Sequence, residues 1–128
     1  MACILVIDDD RLLRGTVELI LKSEGHRVAS ARDGHEGFQR FRSGRFDLVA
    51  CDIFMPNMEG LETIRRIRDV STALPIIAFT GGPAQDNTDG RALRIADELG
   101  ATEMLAKPFR RQELLDLVRR CLHAVGCS

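Results

Sequence analysis

Five short apolar runs punctuate the chain: Cys3–Ile7, Arg27–Ser30, Leu48–Cys51, Ile76–Phe79 and Glu103–Ala106. The first, third and fourth are nearly continuous rather than alternating, the pattern of parallel strands covered on both faces. Stretches with helical spacing lie between them. Leu13, Val17 and Ile20 follow i, i+4, i+7, and Leu61, Ile64 and Ile67 make a shorter stripe. The last helix is the clearest, with Leu114, Val118, Cys121, Leu122 and Val125 on one face. Segments from Gly34 to Phe41 and from Arg91 to Leu99 complete a β-α alternation repeated five times. Breakers fall between the elements, at Gly25, Gly44, Pro56, Gly60, Gly81-Gly82-Pro83 and Gly100. Alternation of this kind implies right-handed crossovers, and so an α/β, doubly wound parallel sheet of five strands with five helices.

Composition narrows the setting. A chain of 128 residues suits one domain with one core, and residues 1–128 read as a single unit with no output domain after the last helix. With 45% hydrophobic and 29% charged residues it belongs with folded proteins rather than disordered ones. The formal charge of −1 offers no bulk positive field for nucleic acid or an anionic membrane. No apolar window is long enough to span a bilayer, and the start lacks a basic region before its apolar run, so no membrane insertion is expected. Cys3, Cys51, Cys121 and Cys127 form no CxxC pair, and three of them sit in apolar runs as small hydrophobes. A reducing cytoplasmic setting fits. Among 18 cations only Lys22 and Lys107 are lysine, and Lys107 stands directly before a proline.

Ligands of open parallel sheets bind beyond the carboxyl ends of the strands, so the residues at those ends carry the chemistry. The first strand runs into Asp8-Asp9-Asp10 and the third into Asp52; the fourth ends in Thr80 and the fifth in Lys107-Pro108. Neighbouring strands lie about 4.8 Å apart, so these groups can converge. Clustered carboxylates repel unless a hard divalent cation sits among them, and Mg²⁺ accepts a few carboxylates with water and phosphate oxygens. A carboxylate can also attack phosphorus to give an aspartyl phosphate. Mg²⁺, the Thr80 hydroxyl and the Lys107 ammonium would then face the phosphoryl oxygens. Lysine suits that task as a compact charge on a flexible stem.

These residues resemble the receiver domain of two-component response regulators, of the type seen in the chemotaxis regulator. The likeness runs from Ile4 to about Val125. It rests on Val6-Ile7-Asp8-Asp9, on the run from Asp47 through Asp52, Met55-Pro56 and Glu59-Gly60, on Thr80, and on Lys107-Pro108-Phe109. The resemblance implies a flavodoxin-like sheet with strand order 2-1-3-4-5. It implies Asp52 as phosphoacceptor, with a sensor histidine kinase or histidine phosphotransfer protein as donor. Asp9 would hold Mg²⁺ directly and Asp8 through water, with Asp52 and the Phe54 backbone carbonyl completing the protein ligands. Thr80 would hydrogen-bond the phosphoryl group, Lys107 would pair with it, and the Lys107–Pro108 bond would be cis. The helix at Arg91–Leu99, the fifth strand and the last helix would form the output face, docking to a downstream protein or relaying to another histidine, with no direct contact to nucleic acid.

Three positions depart from the family pattern. Met104 stands where many members carry an aromatic switch residue three positions before the lysine, leaving Thr80 and a flexible thioether to couple the switch. The segment from Gly81 to Gly90 is longer than the usual connection, as a lid or a modified docking face would be. Phe54 sets a bulky group where attacking water must approach, which predicts slow self-dephosphorylation. Two other readings compete. Asp8 and Asp10 form the D-x-D of haloacid dehalogenase-type phosphatases, although Leu12 replaces the usual Thr or Val and the Asp52–Gly60 run goes unexplained. A degenerate receiver serving only as a docking module is the other. Asp10 alone reads most simply as a helix cap, and the arginines at 65, 66, 68, 119 and 120 as solvated helix faces.

Overall fold

A computed structural model describes residues 1–56, 59–81, 94 and 97–124. Its elements follow the chain as β1 (Cys3–Ile7), α1 (Arg11–Ser23), β2 (Arg27–Ala31), α2 (Gly34–Ser43), β3 (Leu48–Asp52), α3 (Glu59–Val70), β4 (Ile76–Gly81), β5 (Glu103–Lys107) and α4 (Arg111–Ala124). The strands form one parallel sheet in the order β2-β1-β3-β4-β5, as the resemblance implies. The described residues carry four helices rather than five. The one not among them falls on Arg91–Leu99, of which only Arg94 and 97–99 are described. Of the Gly81–Gly90 connection only Gly81 is described, so the lid reading lies outside the described residues.

Alternation along each strand sorts the core into two layers. Ile4, Val6, Leu48, Ala50, Ile77, Phe79 and Leu105 face α1 and α4, meeting Val17, Leu21, Leu114 and Val118. Leu5, Ile7, Val49, Cys51, Ile76 and Ala78 face α2 and α3, meeting Phe38, Leu61, Ile64 and Ile67. Every residue of β3 is buried, which explains why its apolar run shows no alternation. In α1 the buried pair is Val17 and Leu21, while Leu13 and Ile20 are half-buried beside them.

Helix boundaries have local causes. Asp10 caps α1, its Oδ1 accepting from the amides of Leu12 at 3.0 Å and Leu13 at 3.2 Å. Asp33 caps α2 through the Glu36 amide at 2.8 Å. Gly25 ends the turn after α1 with φ +88°, a conformation that favours glycine. Arg68 is not part of a solvated face. Its half-buried guanidinium donates to the carbonyls of Gly100 at 2.8 Å and Ser71 at 3.0 Å, tying α3 to the turn before β5. Arg66 stays exposed, as a solvated face requires, while its guanidinium lies 4.2 Å over the Phe38 ring, where its charge meets the π-face.

Candidate functional site

Registers fix what meets at the carboxyl rim. Ile7 pairs with Cys51, so Asp8 lies level with Asp52 one position on. Asp52 pairs with Phe79, and Phe79 with Leu105, which places Lys107 two residues beyond that line. By alternation Asp8, Asp52 and Lys107 all extend the α1–α4 layer of the sheet. The Lys107 stem reaches back over this step. Its Nζ lies 2.9 Å from Asp8 Oδ2, 3.2 Å from Asp52 Oδ2 and 5.9 Å from the centre of the Phe79 ring.

Asp8 is fully buried and Asp52 is 3% exposed. Two backbone amides orient them: Asp10 N–H donates to Asp8 Oδ1 and Phe54 N–H to Asp52 Oδ1, each at 2.9 Å. Asp9 stands exposed at the rim. One carboxylate oxygen from each of Asp8, Asp9 and Asp52 lies within 4.8 Å of the others, the one such acidic group among the described residues. Thr80 is buried at the end of β4, paired in register with Ala106. Phe54 is half-buried against the α2–α3 layer, and Met104 is half-buried in β5. The Lys107–Pro108 peptide is cis.

One ammonium does not neutralise three carboxylates, and the electrostatics show it. Burial pushes the Asp8 carboxyl above the usual carboxylate value, only partly offset by the Asp10 amide and Lys107. Burial and then the Asp52 charge push Asp9 the same way. For Lys107, burial works against the charge, but the Asp8 hydrogen bond and the charges of Asp52 and Asp8 outweigh it and raise its pKa. Convergent hard oxygen donors with negative charge to spare fit a divalent cation of the Mg²⁺ class.

The backbone beneath Asp52 is as constrained as its side chain. A methyl at Gly60 would lie 2.6 Å from Ile53 Cα and closer still to the Asp52 carbonyl oxygen. The first turn of α3 therefore sits directly against the end of β3, an approach only glycine permits. Gly60 is legible in the sequence as a breaker, whereas this role is not. Arg14 was likewise unmarked: its Nη1 donates to the Asp8 carbonyl at 2.8 Å.

This geometry can be set against known proteins. A family model described as the response regulator receiver domain matches residues 4–119. The chain belongs to that family. It is 38% identical over 119 residues to the response regulator MprA of Mycolicibacterium vanbaalenii, an alignment covering 93% of this chain and 49% of that protein. The chain thus spans about half the length of the curated relatives it matches. Among solved structures, the chemotaxis protein CheY4 of Vibrio cholerae is 31% identical with TM-score 0.83, covering 95% of this chain and 99% of that one. A CheY-like receiver domain protein from Methanospirillum hungatei is 26% identical with TM-score 0.87, covering 97% and 95%. Receiver domains are signalling proteins of two-component systems rather than classical enzymes. Among the described residues no helix is long and apolar enough to cross a membrane.

Proposed function

We propose that this receiver domain is a phosphorylation-dependent switch in which Asp52 accepts a phosphoryl group from a phosphohistidine of a histidine kinase or phosphotransfer protein. The observation that carries the reading is the state of the Asp52 carboxylate. One oxygen is held by the Phe54 amide at 2.9 Å, and the other lies 3.2 Å from the Lys107 ammonium, with two more carboxylates alongside. A buried carboxylate fixed in this way is ready for in-line attack.

In the transfer, an Asp52 oxygen forms the bond to phosphorus as the donor's phosphorus–nitrogen bond breaks, leaving the electron pair on the imidazole. Asp8, Asp9, Asp52 and the Phe54 carbonyl would hold Mg²⁺, which when bound offsets charge on the phosphoryl oxygens. Lys107 then turns from the carboxylates to a phosphoryl oxygen, and Thr80 supplies a hydroxyl donor from β4. Phosphorylation shifts a pre-existing equilibrium, with Thr80 and Met104 as the switching pair and the β5–α4 side as output toward a protein target. Phe54, two residues past Asp52, would limit the approach of water to the acyl phosphate, so Phe54→Asn should shorten its lifetime.

The competing phosphatase reading needs Asp10 as a general acid. Its carboxylate instead caps α1, which weighs against that role. Incubation with Mg²⁺ and acetyl phosphate followed by intact-mass measurement tests the proposal. The expected result is a gain of one phosphate in the wild-type protein that is absent in Asp52→Asn. Equal labelling of both, or steady turnover of a phosphomonoester, would overturn it.

A further inference from the structure

We propose that Arg14 is a positioning residue for the acidic pair, setting the Asp8–Asp9 peptide and through it the direction of the Asp9 carboxylate. Its half-buried guanidinium donates from Nη1 to the Asp8 carbonyl at 2.8 Å. That placement works against α1. Arg14 is the fourth residue of the helix, where the positive end of the dipole disfavours a cation, although the Asp10 cap offsets part of that cost. A residue that opposes its own element while serving a neighbouring cluster marks a functional constraint.

The two aspartates differ in how they are anchored. Asp8 has the Asp10 amide on one oxygen and Lys107 on the other, both at 2.9 Å. Asp9 is exposed, and among the described residues no hydrogen bond or ion pair from another side chain reaches it. Its direction therefore depends on the backbone it leaves. The Asp8 carbonyl and the Asp9 amide share one planar unit, so a donor pinning that carbonyl pins the plane from which Asp9 departs. The effect is geometric: the Arg14 bond goes to the backbone carbonyl of Asp8 and not to either carboxylate.

This inference rests on reading Asp8, Asp9 and Asp52 as a Mg²⁺ site. Calorimetric Mg²⁺ titrations of wild type, Arg14→Met, Arg14→Lys, Asp9→Asn and the Arg14→Met/Asp9→Asn double variant test it, with amide resonances recorded for the metal-free proteins. Arg14→Met is expected to move the Asp9 and Asp10 amide resonances and to weaken Mg²⁺ binding about tenfold, the scale for lost outer-shell support. Arg14→Lys, which keeps a donor, recovers part of that loss. In the Asp9→Asn background Arg14→Met adds nothing, because Arg14 acts through Asp9. Equal Mg²⁺ affinity in wild type and Arg14→Met, or fully additive losses in the double variant, would overturn the inference alone. A wild-type protein that takes up no Mg²⁺ would overturn the metal reading and this inference with it.

Discussion

The two faces of the sheet are built from similar apolar residues yet do different work. On the α1–α4 face the strands run past the core into Asp8, Asp52 and Lys107, and the layer ends in charge. On the α2–α3 face β3 and β4 carry Cys51 and Ala78, with Thr80 following by alternation, and the helices come close through small residues. Gly37 packs against the Ile7 side chain and Gly60 against the end of β3. One face presents the buried charges, and the other holds the backbone that carries them. A site of this kind is shared between a chemical layer and a mechanical one.

Breaking the charged face should have the largest effect. Lys107→Met leaves Asp8 and Asp52 buried without their cation, and the metal-free protein should lose about 3 kcal/mol at neutral pH in urea denaturation. Added Mg²⁺ should restore part of this loss, and Lys107→Arg should keep the fold while impairing phosphoryl transfer. The pH dependence follows from the sign of the shift. The folded-state pKa of Lys107 is raised, so its contribution is complete below the ordinary lysine value and disappears as pH climbs through the folded one. Wild-type and Lys107→Met stability curves should therefore converge only at pH values above the ordinary lysine range.

The mechanical face should respond next. Gly60→Ala forces α3 away from β3 and should cost about 1–3 kcal/mol while slowing Asp52 labelling. Gly15, exposed in α1, provides the control. A methyl there meets nothing within 4 Å, so Gly15→Ala should stabilise by about 1 kcal/mol through helix propensity. Similar destabilisation by both changes would remove the distinction between the faces. The smallest effect concerns Cys51, adjacent in sequence to Asp52 but pointing into the α2–α3 layer. Burial, reinforced by Asp52 and Asp8, pushes its thiol up. A disulfide reagent should therefore leave Cys51 unmodified in the native protein and modify it only after unfolding.

Most of the architecture was readable because a buried parallel strand and an amphipathic helix leave different periods. β1, β3 and β4 stood out as continuous apolar runs, and Asp8, Asp52 and Lys107 could be placed because their strands end where polar residues begin. Contacts made through backbone were not readable. Gly60 reads as a breaker and Gly15 does not, but nothing in the letters says that Gly60 touches β3 while Gly15 touches nothing. Arg68 looked like another surface cation of α3, since its carbonyl partners at Gly100 and Ser71 carry no side-chain signature. Arg14 was missed for the same reason, its partner being the peptide oxygen of Asp8. The first turn of α1 holds Arg11 as well as Arg14, so position alone does not mark it.

The register of the strands has a consequence for how this protein can vary. Asp8 and Asp52 are level, and Lys107 lies two residues further along, about 6.6 Å at the usual rise per strand residue. The ammonium spans that step because the offset is an even number, which keeps it on the carboxylates' side of the sheet. Deleting one residue between Glu103 and Ala106 would leave composition and charge almost untouched, yet it would turn the lysine toward α2 and α3. Lineages of this chain can therefore exchange an exposed side chain of β5 such as Ala106, while the strand's length is under a parity rule.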